Sequence, residues 1–366
     1  MEHTLHRKLQ FENIKQCFTN EIVHTTEHTI TINGDSLKEL KKIPDNSISL
    51  ILTDPPYHST KKDNITNDKA FETDEEFLNW MNFFFIEWKR ILKPNGSIFM
   101  FCSSAMSAKL EILLSAKFNI LSHIVWTKPN DPGFDGWKGK MKKEALRQWY
   151  PHSERILFVE PAMEGNLKRS WFGNFLREQR TICNISGHQL TESIGAFGKV
   201  NHGGAVSNWE TGRNIPSREQ YEKIGTVLLA TGKISKMPDY EDVIRKFEVN
   251  SDIEFTDVWN FNSVRPYNGK HPAEKPLDML EHCINATTFE EDIILDCFAG
   301  SGSTAIASLN TNRYIISIEL EKEWADVIEN RIENYKYVPS MLVSNKNIIM
   351  KSTRNKASNS YATLFS

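Results

Sequence analysis

An apolar run, Ser47 to Thr53 (Ser-Ile-Ser-Leu-Ile-Leu-Thr), stops abruptly at Asp54-Pro55-Pro56-Tyr57. A short apolar segment bounded by polar residues fits an inner strand of a parallel sheet, buried on both faces. Two successive prolines stiffen the backbone and remove two N–H donors, so the strand cannot continue through them. The chain must therefore reach a sheet edge here, with the Asp54 carboxylate and the Tyr57 ring held at the carboxyl end of a strand. Open α/β sheets bind ligands along that edge. Taken alone, the same residues also suit a plain turn, because Asp and Pro are common turn residues.

The flanking sequence alternates strands with helices. Thr29 to Ile32 has strand periodicity, and Asn33-Gly34-Asp35 turns into a short helix, Ser36 to Ile43. Thr73 and Glu76 form a capping-box pattern. It opens a helix whose Phe77, Trp80, Met81, Phe84, Phe85, Trp88, Ile91 and Leu92 keep one apolar stripe. Pro94-Asn95-Gly96 stops it. Strand Ser97 to Cys102, helix Ala105 to Ala116 and strands Ile120 to Trp126 and Arg155 to Glu160 follow. Later, helix Leu277 to Thr287 leads to strand Ile293 to Asp296, helix Thr304 to Leu309 and strand Tyr314 to Ile318. Such alternation predicts an α/β fold with a parallel sheet flanked by helices.

The chain has 366 residues, enough for two domains or one with an insertion. Its net charge of −3 gives no global basic footprint, so any nucleic-acid contact must come from local patches. Five scattered cysteines, without a CxxC pair, fit a reducing cytoplasm and supply no metal framework. No signal peptide is legible, and the longest apolar stretch, Met81 to Trp88, is broken by Asn82 and Glu87, so no membrane partner is expected. The layout predicts an N-terminal extension (1–27), a first α/β half (28–160), an inserted helical region (161–250), a second α/β half (251–333) and a basic polar tail (334–366).

Asp296 ends a buried strand, and Phe298-Ala299-Gly300-Ser301-Gly302 turns into the next helix. Gly300 and Gly302 let a ligand come close to the backbone. Glu319 ends the following strand, 23 residues after Asp296. An acid about 20 residues on is placed to bond ribose hydroxyls. The turn is not GxGxxG, so a dinucleotide is not specified.

Asp54-Pro55-Pro56-Tyr57 together with Phe298-Ala299-Gly300-Ser301-Gly302 resembles the S-adenosylmethionine-dependent DNA methyltransferases that methylate amino groups. In that family Asp-Pro-Pro-Tyr is typical of N6-adenine enzymes, while Ser in place of Asp is commoner in N4-cytosine enzymes. Catalytic motif first, recognition region second and cofactor motif last is the circularly permuted order called beta. Gly34-Asp35-Ser36-Leu37, Leu92-Lys93-Pro94-Asn95-Gly96 and Lys275-Pro276 also match; Cys297 departs, standing where Pro is usual. The resemblance implies a Rossmann-like methyltransferase sheet with an inserted helical target-recognition domain. It implies Asp54, Pro55, Pro56 and Tyr57 in catalysis on a flipped adenine. Asp35, Lys275, Asp296, Phe298, Gly300, Ser301, Gly302 and Glu319 are implied around S-adenosylmethionine, with Lys275 near its methionine carboxylate. For Phe298, plain core packing stays equally open.

Within the insertion, Leu176-Arg177-Glu178, Gln189-Leu190-Thr191-Glu192, Val206-Ser207-Asn208-Trp209-Glu210-Thr211-Gly212 and Ile215-Pro216-Ser217 resemble a phage-repressor helix-turn-helix. His202, Ser207 and Asn208 would then face DNA, although residues 196–204 make the turn longer than usual. Lys138, Lys140, Lys142 and Lys143, interleaved with Trp137, Trp149 and Tyr150, suit a surface that tracks a nucleic-acid backbone, or simply a solvated loop. The expected partner is double-stranded DNA; a homodimer and a restriction endonuclease partner stay open. The rival readings are N4-cytosine or RNA methylation, a DNA-binding regulator with a vestigial catalytic domain, and a dinucleotide enzyme.

Overall fold

The computed structural model describes residues 2–18, 21–58, 71–129, 144, 147, 149, 152–162, 170–197, 204–249, 255–265, 267 and 269–336. Among them, nine strands form one sheet. In chain order these are β1 (Ile22–Thr25), β2 (Thr29–Asn33), β3 (Ile48–Thr53), β4 (Leu92–Cys102), β5 (Phe118–Trp126), β6 (Glu154–Pro161), β7 (Val258–Trp259), β8 (Ile293–Asp296) and β9 (Tyr314–Glu319). Their order across the sheet is β1-β2-β9-β8-β3-β4-β6-β5-β7.

The centre, from β2 through β9, β8 and β3 to β4, is parallel. The flanks are not. β1 runs antiparallel to β2, and β6 runs antiparallel to both β4 and β5. The expectation of a parallel sheet is thus corrected to a mixed one. β5 and β6 are consecutive and pair from Phe118↔Pro161 to Trp126↔Glu154. Consecutive strands whose connection leaves and returns at the same end, Trp126 opposite Glu154, pair antiparallel.

β3 buries all six residues because neighbours alternate between two covered faces. Ile51 joins a cluster with Phe85, Trp88, Leu110 and Leu295, whereas Leu50 and Leu52 join Met279, Ile284, Ala305 and Ile328. The first face is covered by helices α1 (Glu2–Gln16), α2 (Ser36–Leu40), α3 (Asp74–Ile91) and α4 (Ser107–Ser115). Each buried Leu or Ile contributes roughly 1.5–3 kcal/mol, so this run cannot be placed on a one-sided strand without large loss. In α3 the Thr73 side chain accepts from Glu76 N (3.2 Å). The capping box closes one residue early, since the Glu76 carboxylate bonds Glu72 N (2.9 Å).

Residues 1–27 are not an unpatterned extension. α1 inserts Phe11 and Ile14 into the first cluster, and β1 extends the sheet. Arg7, only 1% exposed, pairs with Asp242 (3.0 Å) and Asp292 (3.1 Å).

The inserted region packs around its own cluster of Phe172, Leu176, Leu190, Val206, Trp209, Ile224 and Leu228. Its helices are α5 (Trp171–Ile182), α6 (Gly187–Ser193), α7 (Ala205–Glu210), α8 (Arg218–Leu229) and α9 (Tyr240–Val243). α6 and α8 start with full capping boxes, Ser186/Gln189 and Ser217/Gln220. A Cβ at Gly173 would lie 2.5 Å from the Glu210 carbonyl, so glycine allows α5 to cross α7 closely. Asn95 ties the insertion to the sheet through the carbonyls of Glu241 (2.9 Å) and Ile244 (3.1 Å).

The second sheet face is covered by α10 (Leu277–Thr287), α11 (Ser303–Asn310) and α12 (Lys322–Glu333). β8 leads on to β9 on one side, while β3 leads to β4 on the other. The reversal leaves a crevice at the carboxyl ends of β3 and β8, the place where open α/β sheets take ligands.

Candidate active site

A cavity of about 330 Å³ opens at that crevice. Asp54, Pro55, Pro56, Tyr57, Asp35, Lys275, Asp296, Phe298, Gly300, Ser301 and Glu319 all line it. The structure thus brings both motifs, far apart in sequence, to one site. Gly302 stands just behind the lining. Its φ of +77° favours glycine, and a Cβ there would meet Ile328 Cγ1 at 2.9 Å.

At one end, Lys275 Nζ is paired with Asp54 Oδ2 and also donates to the Ala273 carbonyl (3.1 Å). The other oxygen, Asp54 Oδ1, is buried and accepts no hydrogen bond from the described residues. Burial pushes the Asp54 carboxyl above its ordinary value, Lys275 opposes that, and Glu154 adds to it. Tyr57 Oη donates to Glu154 Oε2 (2.8 Å), and burial raises the phenol further above its usual range. Glu154 is buried too, yet Lys275 and Lys128 outweigh that cost and hold it down at about 2.

Asp296 sits beside Asp54 on the neighbouring strand but is used differently. Its Oδ1 accepts from Thr53 Oγ1 (2.9 Å) and Phe298 N (3.1 Å). Burial raises its carboxyl to about 6.

At the far end, Glu319 accepts from Gly300 N (2.7 Å) and Glu321 N (2.9 Å). Burial raises it to about 6. A carboxylate has about four acceptor sites, so capacity for ribose hydroxyls is left. Phe298 packs on Trp80 (5.7 Å) and Phe84 (4.9 Å) and also faces the cavity, so core contact and cavity lining coexist. Asp35 caps α2 through Leu37 N (3.0 Å). Arg331 anchors the glycine turn by donating to the Ser301 carbonyl (2.8 Å). His271 packs edge-on to Trp324 and is pushed down to about 4, chiefly by burial. The open glycine turn, the free carboxylate capacity and the cavity's size fit S-adenosylmethionine.

Sequence reasoning placed Lys275 at the cofactor's carboxylate; its described contacts include Asp54, Glu154 and the Ala273 carbonyl. It missed Glu154, Lys128, His271, Trp80 and Trp324, which line or border the cavity. Lys138, Lys140, Lys142, Lys143 and His202 lie outside the described residues. On α7, Ser207 is exposed and Asn208 half-buried, while Val206 and Trp209 face the core. Gly204 caps α7 at its start; a Cβ there would lie 2.5 Å from Thr191 Oγ1, so α6 and α7 meet closely. Elsewhere among the described residues, ligand atoms of His24, Glu329 and Glu333 lie within 4.8 Å of one another. No helix among the described residues is long and apolar enough to cross a membrane.

Comparison with known proteins agrees with this geometry. The chain is 27% identical over 309 residues to the type II methyltransferase M.BglII of Bacillus subtilis, covering 81% of this chain and 66% of that protein. It is 25% identical over 304 residues to the DNA adenine methyltransferase YhdJ of Escherichia coli K12, covering 82% of each. It spans just under two thirds of the first relative's length. In fold it is similar to the PvuII DNA methyltransferase (cytosine-N4-specific), with a TM-score of 0.52 at 16% identity, covering 91% of this chain and 96% of that one. The DNA methylase family matches residues 48–330, which take in both sheet-edge motifs and the insertion between them, and the chain belongs to that family.

Proposed function

We propose that this chain is a site-specific DNA methyltransferase acting on the N6 amine of adenine, with S-adenosylmethionine as methyl donor and the motif order of the beta class. The observation that carries the reading is Asp54 Oδ1, a buried acceptor that no described residue bonds, on a side chain lining the same cavity as Glu319.

An exocyclic amine is a poor nucleophile because its lone pair is delocalised into the ring. Asp54 Oδ1 accepts one N–H of that amine, and the Pro55 carbonyl accepts the other. Two acceptors on the N–H₂ group favour the charge that develops on nitrogen as it attacks. The contribution is placement and electrostatic stabilisation more than strong base catalysis. When bound, the cofactor supplies an electrophilic sulfonium methyl. Glu319 bonds its ribose, and the turn Gly300 to Gly302 admits it without steric conflict. The amine of a paired base cannot reach this depth, so the adenine is flipped out of the duplex and stacked on Tyr57.

α6 and α7 form the helix-turn-helix of the target-recognition region, with Ser207 and Asn208 turned to DNA. The exposed Ser207 and the half-buried Asn208 beside the buried Val206 and Trp209 support this. Cytosine N4 offers Asp54 the same chemistry; Asp rather than Ser at position 54 favours adenine. The test incubates unmethylated duplex DNA with labelled S-adenosylmethionine and digests it to nucleosides. Label in N6-methyladenine is expected. Label only in N4-methylcytosine overturns the base assignment, and no label in DNA overturns the enzymatic reading.

A further inference from the structure

Four charged side chains from four separate segments meet beneath the Tyr57 ring. Lys275 Nζ is 7% exposed at the side-chain level and lies 3.6 Å from Glu154 Oε2 as well as against Asp54. It also sits over the Tyr57 ring (5.4 Å) and the Phe101 ring (5.1 Å). Glu154, in turn, receives Tyr57 Oη and Lys128 Nζ. An ammonium has three donors. Asp54 and Ala273 take two, and Glu154 draws the third, so Lys275 is engaged on the base side of the cavity. Burying such a network costs solvation that its attractions barely repay. Stability alone is therefore a weak reason to keep it.

We propose that Lys275 and Glu154 are positioning residues for methyl transfer: Lys275 holds Asp54 Oδ2 so that Oδ1 is the acceptor left for the amine, and Glu154 ties that lysine to the hydroxyl edge of Tyr57. The carboxylate that takes the amine and the ring that stacks the base are thereby set relative to each other by one linked group. The inference rests on Asp54 as the amine's acceptor and goes beyond it by assigning which oxygen serves and what orients it.

Among the described residues, the charged and titratable groups that face Asp54 are Lys275 before α10, Glu154 at the start of β6, Tyr57 on its own segment, Cys102 at the end of β4 and Asp296 at the end of β8. Lys275 is the cation among them. Without it, Asp54 holds its proton to higher pH; without the Glu154 charge, it loses its proton at lower pH.

The test uses the full chain, unmethylated genomic DNA and labelled cofactor, measuring single-turnover transfer across about pH 5 to 9. S-adenosylhomocysteine affinity is measured in parallel. For Lys275→Gln the expected result is a rate about 10–100-fold lower at saturating cofactor, with the acid limb moved up by about one pH unit. Its S-adenosylhomocysteine affinity stays within about threefold, and Lys275→Arg restores part of the rate, because the charge returns without the geometry. Glu154→Gln, which can still accept from Tyr57, moves the acid limb the opposite way. Opposite shifts are a signature that a merely structural role does not produce. If Lys275→Gln instead loses about tenfold or more in S-adenosylhomocysteine affinity while its saturated rate is unchanged, the lysine serves the cofactor and the proposal fails. Acid limbs that coincide with wild type in both variants also overturn it. Should Lys275→Gln not fold, the profiles of Lys275→Arg and Glu154→Gln decide on the same criteria. Failure of the parent reading looks different: wild type itself then transfers no methyl group to DNA.

Discussion

Asp54 and Asp296 follow or end two adjacent parallel strands and stand at the same sheet edge, yet their surroundings give them different work. Asp54 has one oxygen held by a lysine and one buried oxygen that no described residue bonds. Asp296 spends its Oδ1 on Thr53 Oγ1 and the Phe298 amide, which fixes the start of the glycine turn. Residue type and strand position are alike; neighbours leave one carboxylate with an open acceptor and commit the other to the loop. Under the proposed function the unpartnered oxygen serves the chemistry, while the bonded one serves the architecture.

The contrast breaks most visibly at Asp54. Asp54→Ala is expected to lower labelled methyl transfer by at least about 100-fold while S-adenosylhomocysteine affinity changes only a few-fold. A transfer rate near that of wild type would erase the distinction. Glu319 should behave in the converse way. Glu319→Gln is expected to weaken S-adenosylhomocysteine by about tenfold, one lost charge-assisted bond, with the saturated transfer rate less affected. In wild type, that affinity falls as pH drops below about 6, where the raised Glu319 carboxyl takes up a proton; calorimetric titration over that interval checks the direction. On the insertion, Asn208→Ala is expected to cost about 1 kcal/mol of DNA affinity, read by gel shift, and to leave cofactor affinity untouched. The last effect concerns stability alone, through Asp296→Asn. Its folded carboxyl lies near 6, above the usual 3.8, so ionisation opposes folding. Wild type therefore gains stability as pH falls from about 6 towards about 4, by of the order of 1–2 kcal/mol. The Asn variant lacks that gain, and melting curves at several pH values show it.

Much of this geometry was legible beforehand because periodicity reports local environment. The β3 run is buried on both faces, the α3 stripe repeats with the helix, and a Gly-Ser-Gly turn between strand and helix carries its own backbone requirement. Other parts left no local trace. α1 places Leu5 (57% exposed) and Leu9 (53% exposed) outward and buries Arg7, so its apolar residues misstate its inner face. Glu154 and Lys128 are single charged residues beside strand ends, and only the antiparallel return of β6 brings them under Tyr57. Lys275 was legible as a site residue, but its partner lies 221 residues away and pairs with it only in the folded sheet.

The pairing of β2 with β9 has a consequence for how the molecule comes into being. Thr29 stands opposite Ile315, and Asn33 bonds the Glu319 carbonyl across 286 residues of chain. A nascent chain leaving the ribosome therefore presents β2 with one unsatisfied edge until β9 has emerged. Closing so long a loop is entropically slow, and an open strand edge invites pairing with other chains meanwhile. The ligand crevice, built from β3 and β8, shares that delay: the two motifs cannot meet around a small molecule before β8 has emerged, and deletion of β8 or β9 should disable the Asp54 motif as surely as the glycine turn.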